Sequence, residues 1–188
     1  MSKKINKLII IPARGGSKRI RNKNIKIFKS KPIIYYPIKE IIKSRLFKTI
    51  HISTDSKKIF NIVNKLKKNI SFLRPKKLAT DRTPLFDVYK NIVNFYKLRN
   101  DLYEEIWFLT PCSPLIKSED LIKAAKIFKK QKNNSLLSVS KYSVPIEWAF
   151  KIKSNTLIPN NKKKQKTMSQ FLEDHYFDTG NFGIFSSD

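Results

Sequence analysis

Near the N-terminus an apolar run, Ile9-Ile10-Ile11, leads through Pro12-Ala13 into Arg14-Gly15-Gly16-Ser17-Lys18-Arg19. Two of the chain's four glycines stand side by side in this loop. Glycine lets a backbone turn sharply and brings its N–H groups close to a ligand, while Arg14, Lys18 and Arg19 add positive charge. A short buried strand that opens into such a loop is suited to holding a polyphosphate. The spacing is neither G-x-x-x-x-G-K-[ST] nor G-x-G-x-x-G, which disfavours a P-loop NTPase and a dinucleotide-binding dehydrogenase. The simpler alternative is a tight, solvated turn in a very basic chain.

Few other residues offer chemistry. Asp178, a lone acid close to Gly180 and beside an expected strand, is the leading metal-ligand candidate, and the terminal Asp188 is the second. His175 would share a face with Asp178 only in a helix, and Gly180 argues against one. Asp55 directly follows an expected strand and reads as a cap for the next helix. Cys112 lies between Pro111 and Pro114 with no His or Asp at nucleophile spacing, so it reads as a small packed residue.

These residues need elements to position them, and the pattern alternates strands with helices. Strands are expected over 7–11, 49–53, 70–73, 105–109, 135–140, 148–152 and 181–185. Helices are expected over 32–45, with Pro32 in its first turn, and over 57–68, 84–98 and 119–132, with Ser56 and Ser118 as caps. Such alternation predicts an α/β fold, a mainly parallel sheet covered on both faces. Ligands of these sheets sit beyond the carboxyl ends of the strands. That places Arg14 to Lys23, Thr54-Asp55, Arg74, Thr110 to Ser113 and Lys141 first among functional candidates. With no internal repeat and no Gly/Ser linker, the 188 residues read as a single domain.

Composition narrows the classes. Hydrophobic content of 40% indicates a folded globule. No apolar run approaches the roughly 18–20 residues of a membrane span, and Leu8 to Ile11 is too short for a signal sequence. One cysteine excludes an intrachain disulfide and a cysteine-based metal site, and a cytoplasmic protein is expected. A net charge of +26 raises a nucleic-acid reading. The cations are mostly Lys and spread over every segment, so a solvated surface explains them better and no specific nucleic acid is expected. Lys162-Lys163-Lys164-Gln165-Lys166 reads as an exposed loop.

The whole of Pro12 to Asn24 resembles the opening signature of the acylneuraminate cytidylyltransferase family: I-P-A-R-G-G-S-K, two variable positions, Pro, one variable position, K-N. Only the proline differs, being Arg21 here. His51 to Ser56 resembles the family's V-S-T-D segment, Phe72-Leu73-Arg74-Pro75 its F-x-R-P, Leu78-Ala79-Thr80-Asp81 its L-A-x-D, and Leu109 to Leu115 its L-Q-P-T-S-P-L. Ser138-Val139-Ser140, Pro145 to Ala149, Ser169-Gln170 and Tyr176 to Phe182 resemble the branch that activates pseudaminic acid. The resemblance implies a three-layer α/β/α sandwich of the nucleotide-diphospho-sugar transferase type. It also implies a reaction, in which CTP and an acidic nine-carbon sugar give the CMP-sugar and pyrophosphate with Mg²⁺ assisting, and a homodimer.

Carried over residue by residue, the resemblance puts Arg14 and Lys23 on the triphosphate, helped by Lys18 and by the backbone of Ala13, Gly15, Gly16 and Ser17. It puts Asn24 and Arg74 near the cytidine, although Arg74 could equally pair with a carboxylate such as Asp81. Lys141, Gln170 and Asn181 would contact the sugar, and Asp178 and Asp188 the metal. Met168, Phe171, Phe177 and Gly183 stand where the pseudaminic branch usually has Arg, Asp, His and Tyr, and the chain stops earlier than family members do. A truncated C-terminal end, another acidic sugar or a member without turnover would each fit these departures.

Overall fold

The computed structural model describes residues 6–66, 72–131 and 134–187. They form two compact units, Met1–Leu137 with Asn181–Asp188, and Ser138–Gly180.

The first unit is built on β1 (Lys7–Pro12), which pairs in parallel with β4 (Thr49–Ser53) on one side and β5 (Glu105–Leu109) on the other. The apolar run of β1 explains its central place, because a strand covered on both faces needs apolar residues at every position. Ile9 and Ile11 point into one core with Ile38 and Ile41 of α1 (Tyr35–Ser44), Ile59 and Val63 of α2 (Lys57–Leu66), and Leu121 and Phe128 of α4 (Ser118–Gln131). Leu8 and Ile10 point into a second core with Val88, Ile92 and Tyr96 of α3 (Leu85–Lys97). Helices therefore cover both faces, the α/β/α sandwich expected from the sequence. The sheet runs in the order β4-β1-β5-β9-β6, where β6 is Ser135–Lys141 and β9 is Tyr176–Ser186, and β9 pairs antiparallel with β5.

Several boundaries differ from expectation. Pro32 does not open a helix; it ends a small antiparallel pair of β2 (Ile27–Phe28) and β3 (Lys31–Pro32), and α1 starts at Tyr35. Pro37 enters the first turn of α1 instead, where a missing N–H costs no intrahelical bond. The expected third strand falls partly outside the described residues, and Phe72 and Leu73 carry no strand pairing. Residues 67, 68 and 132, expected to close two helices, also lie outside them. Ser118 is the first helical residue of α4 instead of its cap, with its N–H donated to Glu40 Oε2 at 2.9 Å.

In the second unit, β7 (Phe150–Lys153) and β8 (Thr156–Pro159) form a two-stranded antiparallel sheet. Ser154 and Asn155 join them with φ of 45° and 62°, the left-handed pair that a tight two-residue hairpin requires. A sequence reading that ended the strand at Ile152 missed this hairpin. Residues 162–166 lie in an exposed turn, as their charge suggested. β9 begins at Tyr176, well before the expected Asn181, because Gly180 takes φ +64° within the strand and does not end it.

Candidate functional site

The carboxyl ends of β1, β4 and β5 emerge on one edge of the sheet because the three strands are parallel. There a cleft of about 240 Å³ is lined by Arg14, Lys18, Arg19, Lys23 and Arg74, with Thr110 and Cys112 from the end of β5. No carboxylate lines it among the described residues. Five cations converge there and one carboxylate, Asp81, meets two of them from beside the cleft, so a net positive potential remains on a small space, which suits a polyanion.

The loop is held by bonds between distant segments. Ala13 N donates to Ser53 O at 2.8 Å and Gly15 N to Asp55 Oδ1 at 2.8 Å, which fastens the turn to the end of β4. Asp55 thus anchors the loop and is not the helix cap expected of it; Ser56 Oγ takes that place, accepting from Ile59 N at 3.4 Å. Gly15 is required by closeness, since a Cβ there would lie 2.8 Å from Ser56 Cβ, whereas Gly16 has open space. Ser17 N donates to Gly15 O at 3.0 Å. Of the four loop residues whose backbone was expected to face phosphate, the N–H groups of Ala13, Gly15 and Ser17 are therefore engaged within the fold, and Gly16 N has no partner among the described residues.

Asn24 is 4% exposed; its Nδ2 donates to Arg14 O at 2.9 Å and its Oδ1 faces Cys112 Sγ at 3.6 Å. Its amide thus braces the Arg14 backbone from the wall of the cleft. Arg74 is also buried, its Nε donating to Ser53 Oγ at 2.9 Å and its Nη2 to Ser53 O at 2.8 Å. Burial lowers its pKa, and the charge of Asp55 works against that fall. Arg74 does not pair with Asp81. That carboxylate instead spans the loop cations, Oδ1 to Arg14 Nη2 and Oδ2 to Lys18 Nζ, each at 2.5 Å. Lys18 first and Arg14 second hold the Asp81 carboxyl below the usual carboxylate range. Burial pushes the Cys112 thiol upward, which favours a packed thiol over a nucleophile.

Asn181 is tied to the segment that follows β5: Ser113 Oγ donates to its Oδ1 at 2.9 Å, and Thr110 N donates to its O at 2.8 Å. Thr110 Oγ1 and Ser113 Oγ are 2.7 Å apart, which completes a short polar chain. Ser113 was among the expected candidates after β5, whereas sequence reasoning missed Ser53 as a support, because it acts only through contacts made by the folded sheet.

Within the second unit, Lys141 and Gln170 line a separate cleft of about 360 Å³ with His175 and Asp174. Lys141 Nζ lies 2.6 Å from Asp174 Oδ1, and that carboxylate raises the lysine's pKa. Asp178 is exposed, with its Oδ1 accepting from Gly180 N at 2.7 Å. His175 precedes the extended β9 and does not share a helical turn with Asp178. Asp188 lies outside the described residues, among which no group of three His, Cys, Asp or Glu side chains could enclose a metal.

Known proteins give the family directly. The cytidylyltransferase family model matches residues 8–181. A pseudaminic acid cytidylyltransferase of Campylobacter jejuni is 32% identical over 176 residues, covering 93% of this chain and 76% of the relative. An N-acylneuraminate cytidylyltransferase of Escherichia coli is 34% identical over 139 residues, covering 73% of this chain and 32% of that protein. In three dimensions the chain is similar to a CMP:2-keto-3-deoxy-manno-octonic acid synthetase complexed with CTP, with a TM-score of 0.62 at 16% identity, covering 96% of this chain and 74% of the other. That likeness is one of fold. This chain belongs to the cytidylyltransferase family.

Proposed function

We propose that the protein transfers CMP from CTP to an acidic nine-carbon sugar, pseudaminic acid or a related nonulosonic acid, and releases pyrophosphate. The observation that carries this reading is the cleft at the β1 end, where five cations converge and a single carboxylate, Asp81, meets two of them. The names of the relatives support the sugar class, including a CMP-N,N'-diacetyllegionaminic acid synthase of Legionella pneumophila at 31% identity over 78% of this chain. Both units would serve one nucleotidyltransferase domain.

The anomeric hydroxyl of the sugar attacks the α-phosphorus in line, forming a P–O bond as the bond to the β-phosphate oxygen breaks. Pyrophosphate leaves with that electron pair, and the hydroxyl proton is lost to solvent. Arg14, Lys18 and Lys23 bind and orient the triphosphate, and they stabilise the charge that grows on the departing pyrophosphate. Arg74 and Asn24 stand at the nucleoside end of the cleft, and Arg74 is locked by Ser53 so that it loses little freedom on binding. Lys141, Gln170 and Asn181 are assigned to the sugar.

Mg²⁺ would be held by Asp178, whose Oδ2 has no partner among the described residues. A single carboxylate fits a cation that takes most of its ligands from water and phosphate. When bound, Mg²⁺ supplies neutralising charge on phosphate oxygens. A homodimer fits the exposed apolar side chains of the second unit, among them Val144, Phe150, Ile152, Leu157 and Met168. No helix among the described residues is long and apolar enough to cross a membrane, and the need for CTP assigns the protein to the cytoplasm. Pyrophosphate release measured with each of the four nucleoside triphosphates and a panel of acidic sugars tests the reading: turnover is expected with CTP and a nonulosonic acid. No turnover with any combination, from folded protein, would remove it.

A further inference from the structure

Asp81, the acid of the L-A-x-D segment, stands beside the cleft in a position that the motif gave no role. Each of its carboxylate oxygens meets one cation of the loop, Arg14 on one side and Lys18 on the other. A phosphate group would present two oxygens to the same pair. The three side chains are partly exposed, 30% for Arg14, 81% for Lys18 and 39% for Asp81, so the contact can open without disturbing the core. Asp81 also sits on the bend and turn of residues 79–82, between the short 3₁₀ turn Lys76–Leu78 and α3. That turn carries one long backbone bond, Thr83 N to Thr80 O at 3.4 Å, and the Thr80–Thr83 hydroxyl pair at 2.7 Å. Its tip reaches the loop through the Asp81 carboxylate.

We propose that Asp81 is a built-in competitor for the polyphosphate, an internal anion that shares Arg14 and Lys18 with the substrate and must yield them as it binds. This inference rests on the reading of the cleft as the CTP site. The backbone of Arg14 is held by Asn24 and by the end of β1, so the start of the loop keeps its place when the Asp81 contact opens. A carboxylate in contact with the cations that bind phosphate repels every added phosphate charge, and exposed ion pairs hold too weakly to resist a polyanion. The device keeps the loop cations ordered, and it limits how tightly pyrophosphate is retained after the P–O bond breaks. Its return to Arg14 and Lys18 favours release of the product.

The test is calorimetric titration of the full chain with inorganic pyrophosphate at low ionic strength. Asp81→Asn is expected to bind pyrophosphate about three- to tenfold more tightly than wild type, Asp81→Ser to behave alike, and Asp81→Glu to stay near wild type. The gain is expected to shrink as salt is added. Equal or weaker binding by the two neutral variants, shown folded by circular dichroism, overturns the inference. Wild type that turns over CTP while its pyrophosphate affinity is indifferent to Asp81 removes this inference alone. Wild type that binds neither pyrophosphate nor CTP removes the phosphate assignment together with it.

Discussion

Arg14→Ala is the substitution whose consequences follow most directly from the geometry. The side chain leaves the end of β1 and lines the cleft, its backbone carbonyl held by Asn24 Nδ2 at 2.9 Å. A guanidinium can give phosphate two bonds in a fixed geometry, and hydrogen bonds to charged groups are each worth about 1.5–3 kcal/mol. The pair with Asp81 must be given up first, which offsets part of that gain. A net loss of roughly 1.4–4 kcal/mol is therefore expected, a ten- to thousandfold fall in kcat/KM. Folding stability is expected to change little, because the side chain is outside both cores and its ion pair is exposed. Arg14→Lys should recover part of the loss, since an ammonium keeps the charge without the fork. Steady-state kinetics and calorimetric titration with CTP measure the two effects. If Arg14→Ala bound CTP as wild type does, Arg14 would only pair with a surface carboxylate, and the reasoning would fail.

Two further predictions concern stability. His51 is 1% exposed, with its Nδ1 3.1 Å from Tyr96 Oη, and burial first and the charge of Arg74 second push its pKa down to about 4. The unfolded chain binds a proton at this residue near pH 6.5, so stability should fall as pH drops from about 6.5 to 4, by on the order of 3 kcal/mol, and be indifferent to this group above that window. Urea unfolding at pH 7 and pH 4 measures the fall, and His51→Gln should lessen it; an equal fall in the variant would refute the assignment. Gly183→Ala places a Cβ 2.4 Å from a ring carbon of Phe108, whose ring is stacked on Tyr89 and Phe185 and has little room to move. A loss of about 1–3 kcal/mol is expected by thermal or urea unfolding, and an unchanged midpoint would show that the ring yields freely.

The sheet was legible because its information is local. The run Leu8 to Ile11 serves two cores at once, and the stripes of α2 and α3 have helical spacing, so strand and helix could be read from composition and period, whereas the strand order could not. The loop Arg14 to Lys18 raised the expectation of a phosphate site through residue types alone, and the fold lines one cleft with its cations. What it does to itself was not legible. Asp81 lies 67 residues from Arg14, and Asp55 lies 40 from Gly15, so both contacts depend on how the sheet brings strand ends together. Pro32 misled because a proline suits a first helical turn and a small hairpin equally well. Gly180 misled in the opposite direction: its positive φ is absorbed inside a long strand, where a turn was the natural reading. Gly183, a departure from the resembled family's tyrosine, has a physical setting that only the fold supplies, for Phe108 and Leu137 fill the space beside it.

The central claim is that the cationic cleft holds CTP so that its α-phosphorus passes to an acidic sugar. The direct measurement follows CTP labelled at the α-phosphate, incubated with pseudaminic acid and Mg²⁺. Label recovered in a CMP-sugar, with none in the pyrophosphate and with loss of the transfer in Arg14→Ala, is the result this account predicts. Label that stays in CTP, or transfer that Arg14→Ala leaves intact, would contradict it.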